Sequence, residues 1–183
     1  MDAIELILTR CSPVQLVDPP PDRDQLETIL RAAMRAPDHG RIQPWRFLTI
    51  QGDARRRLGD LMMRSLERRE PTIEPTRLNS ERGKAMRAPL IIAVAAAIRA
   101  HPKVPDIEQI VAVGAAVQNM ILAAHALGFG AFWRTGPVAY DPEVKEALGF
   151  STSDALVGFI YIGSIGKAGK VSPADLGDVT RQW

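Results

Sequence analysis

The stretch from Ile107 to Leu127 constrains this chain more than any other, because it reads as a helix rich in alanine and apolar nearly all round. A helix without a polar face must be covered on every side, so it belongs in a core or at an interface between chains. Its length also suits a membrane span, but Glu108, Gln109, Gln118, Asn119 and His125 interrupt the apolar run, and alanine contributes little to insertion. The expectation is a core or interface helix, with no membrane association. Asp106 and Gln109 have the spacing of a capping box at its start, and Gly128 supplies the stop.

The other elements are laid out around that helix. Ala3 to Leu8 is helical in pattern, and a Pro-rich connector follows Arg10-Cys11-Ser12-Pro13. Asp22 and Gln25 form a second capping-box spacing, ahead of Leu26, Ile29, Leu30, Ala33 and Met34 on one helical face. Pro37 should stop that helix near Arg35. Arg46 to Ile50 alternates as a half-buried strand does, and a charged helix follows from about Ala54 to Arg69. Glu70 to Ser80, with Pro71 and Pro75, shows no periodicity and reads as a mobile surface excursion placed where a lid would be. Pro89 to Ile98 is apolar on both faces, as a central strand must be. Ala131 to Arg134 and Leu156 to Gly163 are further strands, separated by a short helix capped by Asp141 with Pro142 in its first position. About four strands among six helices, irregularly alternated, predict a mixed α+β sheet.

Composition sets the outer limits. With 183 residues and 46% hydrophobic content, the chain suffices for one core, so residues 1–183 are read as a single domain. Its 23 basic and 21 acidic residues nearly cancel, which gives little ground for nucleic-acid binding. A single cysteine, Cys11, excludes an internal disulfide framework and a multi-thiolate metal site, and acids among the first residues do not suit a secretory signal. The expected setting is the cytoplasm, with no metal.

No self-announcing phosphate, dinucleotide, zinc or nucleophile motif is present, so chemistry has to be sought in constellations. Arg10-Cys11-Ser12 ends the opening helix, where a guanidinium beside a hydroxyl suits a phosphate and equally complements the helix dipole. Arg35-Ala-Pro-Asp-His39-Gly-Arg41-Ile-Gln43-Pro-Trp45 is chemically rich for a plain loop. Gln43 can both donate and accept along the edge of a heteroaromatic ring, although Asp38 and His39 suit an ordinary turn and Trp45 a core anchor. In Gly128-Phe-Gly-Ala-Phe-Trp133-Arg134-Thr135-Gly136, glycines allow close approach to a planar ring, while a buried aromatic and a surface arginine are as ordinary a reading. The arginines from Arg55 to Arg69 interleave with Asp53, Asp60, Glu67 and Glu70 as on a solvated face.

At these blocks, together with His101-Pro102-Lys103-Val104-Pro105, the chain resembles the nitroreductase family of FMN-dependent oxidoreductases, and within it a compact branch of short NAD(P)H-dependent proteins. The resemblance runs over essentially the whole length, and the order and spacing of the blocks are far more specific than any one of them. It implies a three-layer α+β sandwich with a mixed, mainly antiparallel sheet of four to five strands, forming an intertwined homodimer with two FMN sites between subunits. Arg10, Cys11 and Ser12 would then contact the flavin and its phosphate, with Arg35 and His39 reaching it from the neighbouring subunit and Gln43 at the ring edge. Trp133, Arg134 and Thr135 would line the ring, while Ala123, Ala124, His125, Ala126, Leu127 and Gly128 would meet the nicotinamide nucleotide. The family commonly has basic residues where Cys11 and Gln15 stand here, and Arg41 or Lys103 are candidates to compensate.

Such a cofactor carries the reaction itself, so no catalytic protein nucleophile is expected. The implied activity is ping-pong hydride transfer from NAD(P)H through FMN to a small electron acceptor, nitroaromatic or quinone-like. The alternatives are an FMN-binding storage or sensor module without turnover, and a basic interaction protein with no cofactor.

Overall fold

The computed structural model describes residues 2–172, 175–177 and 179–183. At its centre β3 (Leu90–Ala96) has all seven residues buried. It pairs antiparallel with β2 (Trp45–Gln51) on one side and with β5 (Ala155–Lys167) on the other. β4 (Gly130–Arg134) lies antiparallel along the far edge of β5, and the end of β5 runs on to pair with β1 (Gln15–Val17). Every pairing among the described residues is antiparallel.

Alternation along β3 explains the layering. Leu90, Ile92 and Val94 face α2 (Arg23–Ala33) and α5 (Asp106–Ala126), where they pack with Ile29, Val117, Met120 and Ile160. Ile91, Ala93 and Ala95 face the other way, toward α3 (Asp53–Arg69), with Leu58, Met62, Phe159 and Tyr161. Burying one such Ile or Leu side chain contributes about 1.5–3 kcal/mol, so both helical layers are held by the same strand. This is the expected three-layer α+β sandwich.

Local signals hold where they are self-contained. Asp22 and Gln25 close the capping box of α2, each side chain accepting the other residue's backbone N–H at 2.9 Å. Asp141 caps α6 (Pro142–Ala147), accepting from the Glu143 N–H at 3.0 Å. Asp2 caps α1 (Ala3–Thr9), a helix with no buried residue.

Three expectations are corrected. The excursion at 70–80 contains a helix, α4 (Pro75–Gly83), with proline in its first turn. It is docked on α3 by the Arg82–Asp60 ion pair at 2.6 Å, and by Gly59, where an added Cβ would stand 2.5 Å from the Arg82 carbonyl oxygen. Being short and burying no residue, it leaves no amphipathic trace. The connector after Pro13 holds β1, a fifth strand made by pairing with distant Ser164 to Lys167. The capping box at the start of α5 does not form: Pro105 is its N-cap. The Gln109 side chain instead receives the Arg99 N–H at 3.0 Å and donates to the Arg99 and Val104 carbonyls at 2.8 and 3.3 Å.

α5 alone among the described helices is long and apolar enough to cross a membrane. Here it is a core helix whose Val113, Ala116, Val117, Met120 and Ala124 are fully buried against the sheet and α2. Its other flank is open, with Ile107 and Val111 each 62% exposed.

Candidate functional site

β4 organises the region where the predicted ring-lining residues fall. Successive strand residues point to opposite faces, so Phe132 and Arg134 turn toward the α3 layer while Trp133 turns toward α5. Trp133 is pinned by its Nε1–H, which donates to the Val157 carbonyl at 3.1 Å. Gly158 makes room for it: an added Cβ there would stand 2.5 Å from Trp133 Nε1 and 2.7 Å from the Arg134 carbonyl oxygen. Arg134 lies across two aromatic rings, its guanidinium carbon 4.2 Å from the centre of Phe132 and 5.8 Å from that of Tyr161. Both distances are within the range of cation–π attraction.

Two cavities flank Arg134 and share Phe132, Arg134 and Tyr161 as walls. One, of about 380 Å³, adds Glu81, Lys84, Trp133, Thr135 and Gly136. The other, of about 360 Å³, adds Gln15, Leu16, Met86 and Arg87. Lys84 is paired to Glu81 at 2.5 Å. Tyr161 is only 2% exposed, and its hydroxyl has no hydrogen-bond partner among the described residues. Burial pushes its pKa up to about 12, against the opposing pull of Arg134 and Arg87. An unpartnered phenol and two arginines beside aromatic walls, with the Lys84–Glu81 pair at the margin, suit a planar ring that carries acceptor atoms and accumulates negative charge on reduction. Gly136 adds an open backbone face, with φ of 112° and nothing within 4 Å of where a Cβ would be. The residues present therefore fit a flavin.

The remaining predicted residues fall in two other places. Arg10 and Cys11 line a small pocket of about 30 Å³ with His125, Phe129 and Gly130, and His125 Nε2 is buried there without a partner among the described residues. Ser12 is exposed beside it. In the stretch expected to meet the nucleotide, Ala124 is fully buried, Ala123 and His125 are half-buried, and Ala126, Leu127 and Gly128 are exposed. Arg35, His39 and Gln43 fall elsewhere: none of them lines either cavity beside Arg134. His39 instead pairs through Nδ1 with the Glu108 carboxylate, and the Gln43 N–H donates to Asp38 Oδ2 at 2.7 Å.

Sequence reasoning missed Lys84, Arg87 and Tyr161. Arg41 and Lys103, the candidates to replace the absent cations, are exposed and line neither cavity, whereas Arg87 shares a wall with Gln15. Larger depressions exist elsewhere. A groove of about 680 Å³ between β2 and α3 contains none of the predicted residues. A shallow dish of about 720 Å³ meets the site only at Thr135 to Pro137.

A three-layer antiparallel sandwich with a cationic, aromatic-walled cavity beside an edge strand suits a flat, electron-accepting cofactor. The model of the nitroreductase family matches residues 7–164, and the chain belongs to that family. It is 42% identical over 164 residues to "Putative NAD(P)H nitroreductase YdjA" of Escherichia coli, covering 90% of this chain and 88% of the relative. It is 35% identical over 165 residues to "Putative NAD(P)H nitroreductase" of Haemophilus influenzae, covering 90% and 89%. Among solved structures it is similar to a nitroreductase-like family protein from Bacillus cereus, with a TM-score of 0.83, 25% identity and coverage of 100% and 96%. It is also similar to a "putative nitroreductase in complex with fmn" from Desulfovibrio desulfuricans, with a TM-score of 0.77, 26% identity and coverage of 100% and 98%.

Proposed function

We propose that the chain is a single-domain, NAD(P)H-dependent FMN oxidoreductase that works as a homodimer and reduces a small nitroaromatic or quinone-like acceptor by alternating the two substrates at one site. The observation that carries this reading is the pair of cavities around Arg134, which supplies cations, an unpartnered phenol and aromatic walls within a nitroreductase fold. Bound FMN would accept a hydride from the nicotinamide and pass reducing equivalents to the acceptor. Arg87 and Arg134, with Lys84 paired to Glu81 beside them, would hold net positive charge near a reduced ring and so favour the reduced form. The backbone N–H groups of Thr135 and Gly136 would be available to the ring, and Trp133 would wall it toward α5. Arg10, Cys11 and Ser12 would serve the phosphate end, Gln43, on the same turn as His39, would reach the ring edge from the neighbouring subunit, and the open part of 123–128 would take the nucleotide.

A second subunit completes this arrangement, bringing Arg35 and His39. Apolar side chains without cover support it: Ile4, Ile7 and Leu8 of α1 are 65%, 51% and 67% exposed, and Ile107 and Val111 of α5 are each 62% exposed. The lone thiol suits the reducing cytoplasm.

Adding NADH or NADPH anaerobically to the flavin-loaded protein tests turnover. Bleaching of the oxidised flavin band, reversed by a quinone, is the expected result. An unchanged spectrum would leave a flavin-storing or sensing module in place of an enzyme.

A further inference from the structure

Between α2 and β2 the chain makes a turn that is held unusually tightly. Arg41 and Gln43 both have positive φ, 53° and 49°, next to Gly40 at 72°. A non-glycine residue in that region costs about 1–3 kcal/mol and persists only where surrounding structure over-determines it. Here the surroundings do. The Asp38 carboxylate accepts the Gln43 N–H at 2.7 Å, tying the two ends of the turn together. Gly40 rests on Val104, whose Cγ2 would be 3.0 Å from an added Cβ. Val104 is in turn fixed by the buried Gln109 side chain through its carbonyl.

One contact in this frame concerns a ring and not the backbone. His39 and Glu108 are 69 residues apart in sequence, yet Nδ1 of the imidazole meets the Glu108 carboxylate. Both side chains are about half exposed, at 56% and 46%, so the pair is not a buried structural bridge. Exposed ion pairs of this kind contribute little to stability, about 0–1 kcal/mol. Its consequence is orientation. With Nδ1–H donated to Glu108, a neutral ring has one tautomer, and Nε2 is left as the ring nitrogen without a partner among the described residues.

We propose that Glu108 is a positioning residue for the cofactor: it fixes the tautomer and the direction of His39, so that Nε2 meets the neighbouring subunit's flavin ready-oriented. In the neutral ring Nε2 is an acceptor for an N–H or O–H donor, which on this cofactor means ring N3–H or a ribityl hydroxyl. This inference rests on the flavin reading above and adds a residue to it. Preorganisation of this kind improves affinity by removing the cost of ordering the side chain on binding.

The test is a double-mutant cycle on the dimeric protein, with FMN affinity read by fluorescence quenching. His39→Ala and Glu108→Ala are each expected to weaken FMN about tenfold, and the double variant to be no weaker than His39→Ala within about twofold, because each removes the same interaction. Glu108→Gln, whose amide oxygen still accepts from Nδ1–H, is expected to recover affinity to within about threefold of the parent. Unchanged binding in Glu108→Ala, or additive losses of about a hundredfold in the double variant, would overturn the proposal. Failure of the parent protein to bind FMN, or of His39→Ala to weaken it, would instead overturn the flavin reading or the placement of His39 within it.

Discussion

The guanidinium of Arg134 stacks on the ring of Phe132, two residues earlier on the same strand, at 4.2 Å. That relationship sends Trp133, between them, to the other side of the sheet. The Trp-Arg-Thr block is thus a two-sided device: its tryptophan packs toward α5 and its arginine divides the cavities lined by Lys84, Arg87 and Tyr161. Arg134→Met should preserve the stacking area and remove the charge. A hydrogen bond to a charged group is worth about 1.5–3 kcal/mol, so FMN should bind about ten- to a hundredfold more weakly while thermal stability stays nearly constant. Flavin titration and calorimetry on the same samples check both halves of that statement.

Gly158→Ala tests the close approach behind the block. The added Cβ would meet Trp133 Nε1 at 2.5 Å and the Arg134 carbonyl oxygen at 2.7 Å, on a residue with φ of 152°. Overpacking of this kind costs about 1–3 kcal/mol. Chemical denaturation should show that loss, and near-ultraviolet circular dichroism should report a displaced tryptophan.

The Asp141 carboxyl gives a pH prediction. Burial raises its pKa, but the polar Ser65 hydroxyl nearby, the hydrogen bond and charge of Arg68 and the Glu143 N–H more than offset this, leaving it below the ordinary 3.8. A depressed folded-state value means stability that is fully present above the unfolded value and lost as pH falls through the folded one. Asp141→Ala should therefore cost about 1–2 kcal/mol at pH 7, from the lost cap, and the gap to the parent should narrow below pH of about 4. Denaturant melts across that range measure it.

Val111→Asp places a charge on the open flank of α5 without touching its core face. The expected outcome is loss of dimer and flavin together, seen by light scattering and visible absorbance. The choice of position matters, because Ala116 on the same helix is fully buried in its own subunit, where a charge would unfold the chain.

What was legible in the sequence was local. The capping box at Asp22 and Gln25, the Asp141-Pro142 helix start and the doubly apolar β3 are each specified within a few residues, and each formed as expected. β1 is three residues long and exists only through partners at the other end of the chain. Lys84 and Arg87 sit on a short turn after α4, and nothing nearby in sequence reveals that β4 and β5 bring Arg134 and Tyr161 to meet them. The spacing at Asp106 and Gln109 misled because Gln109 had a stronger use, closing the Arg99 to Val104 turn. The blocks at Arg10, Arg35 to Gln43 and Trp133 to Thr135 were conspicuous as chemistry, and the resemblance set Arg35 and His39 apart on a neighbouring subunit, but the lining of separate pockets by Arg10 and Arg134 was not legible.

That division is the most direct test of a flavin shared between subunits. One variant carries Arg10→Ala with Arg134→Met, the other Arg35→Ala with His39→Ala, and the two are co-expressed and purified as a mixed dimer with different tags. A shared site predicts that each variant alone is nearly flavin-free, while the mixed dimer regains one FMN per pair of chains, because one of its two sites then has all four residues. A mixed dimer as flavin-free as its parents would contradict the account.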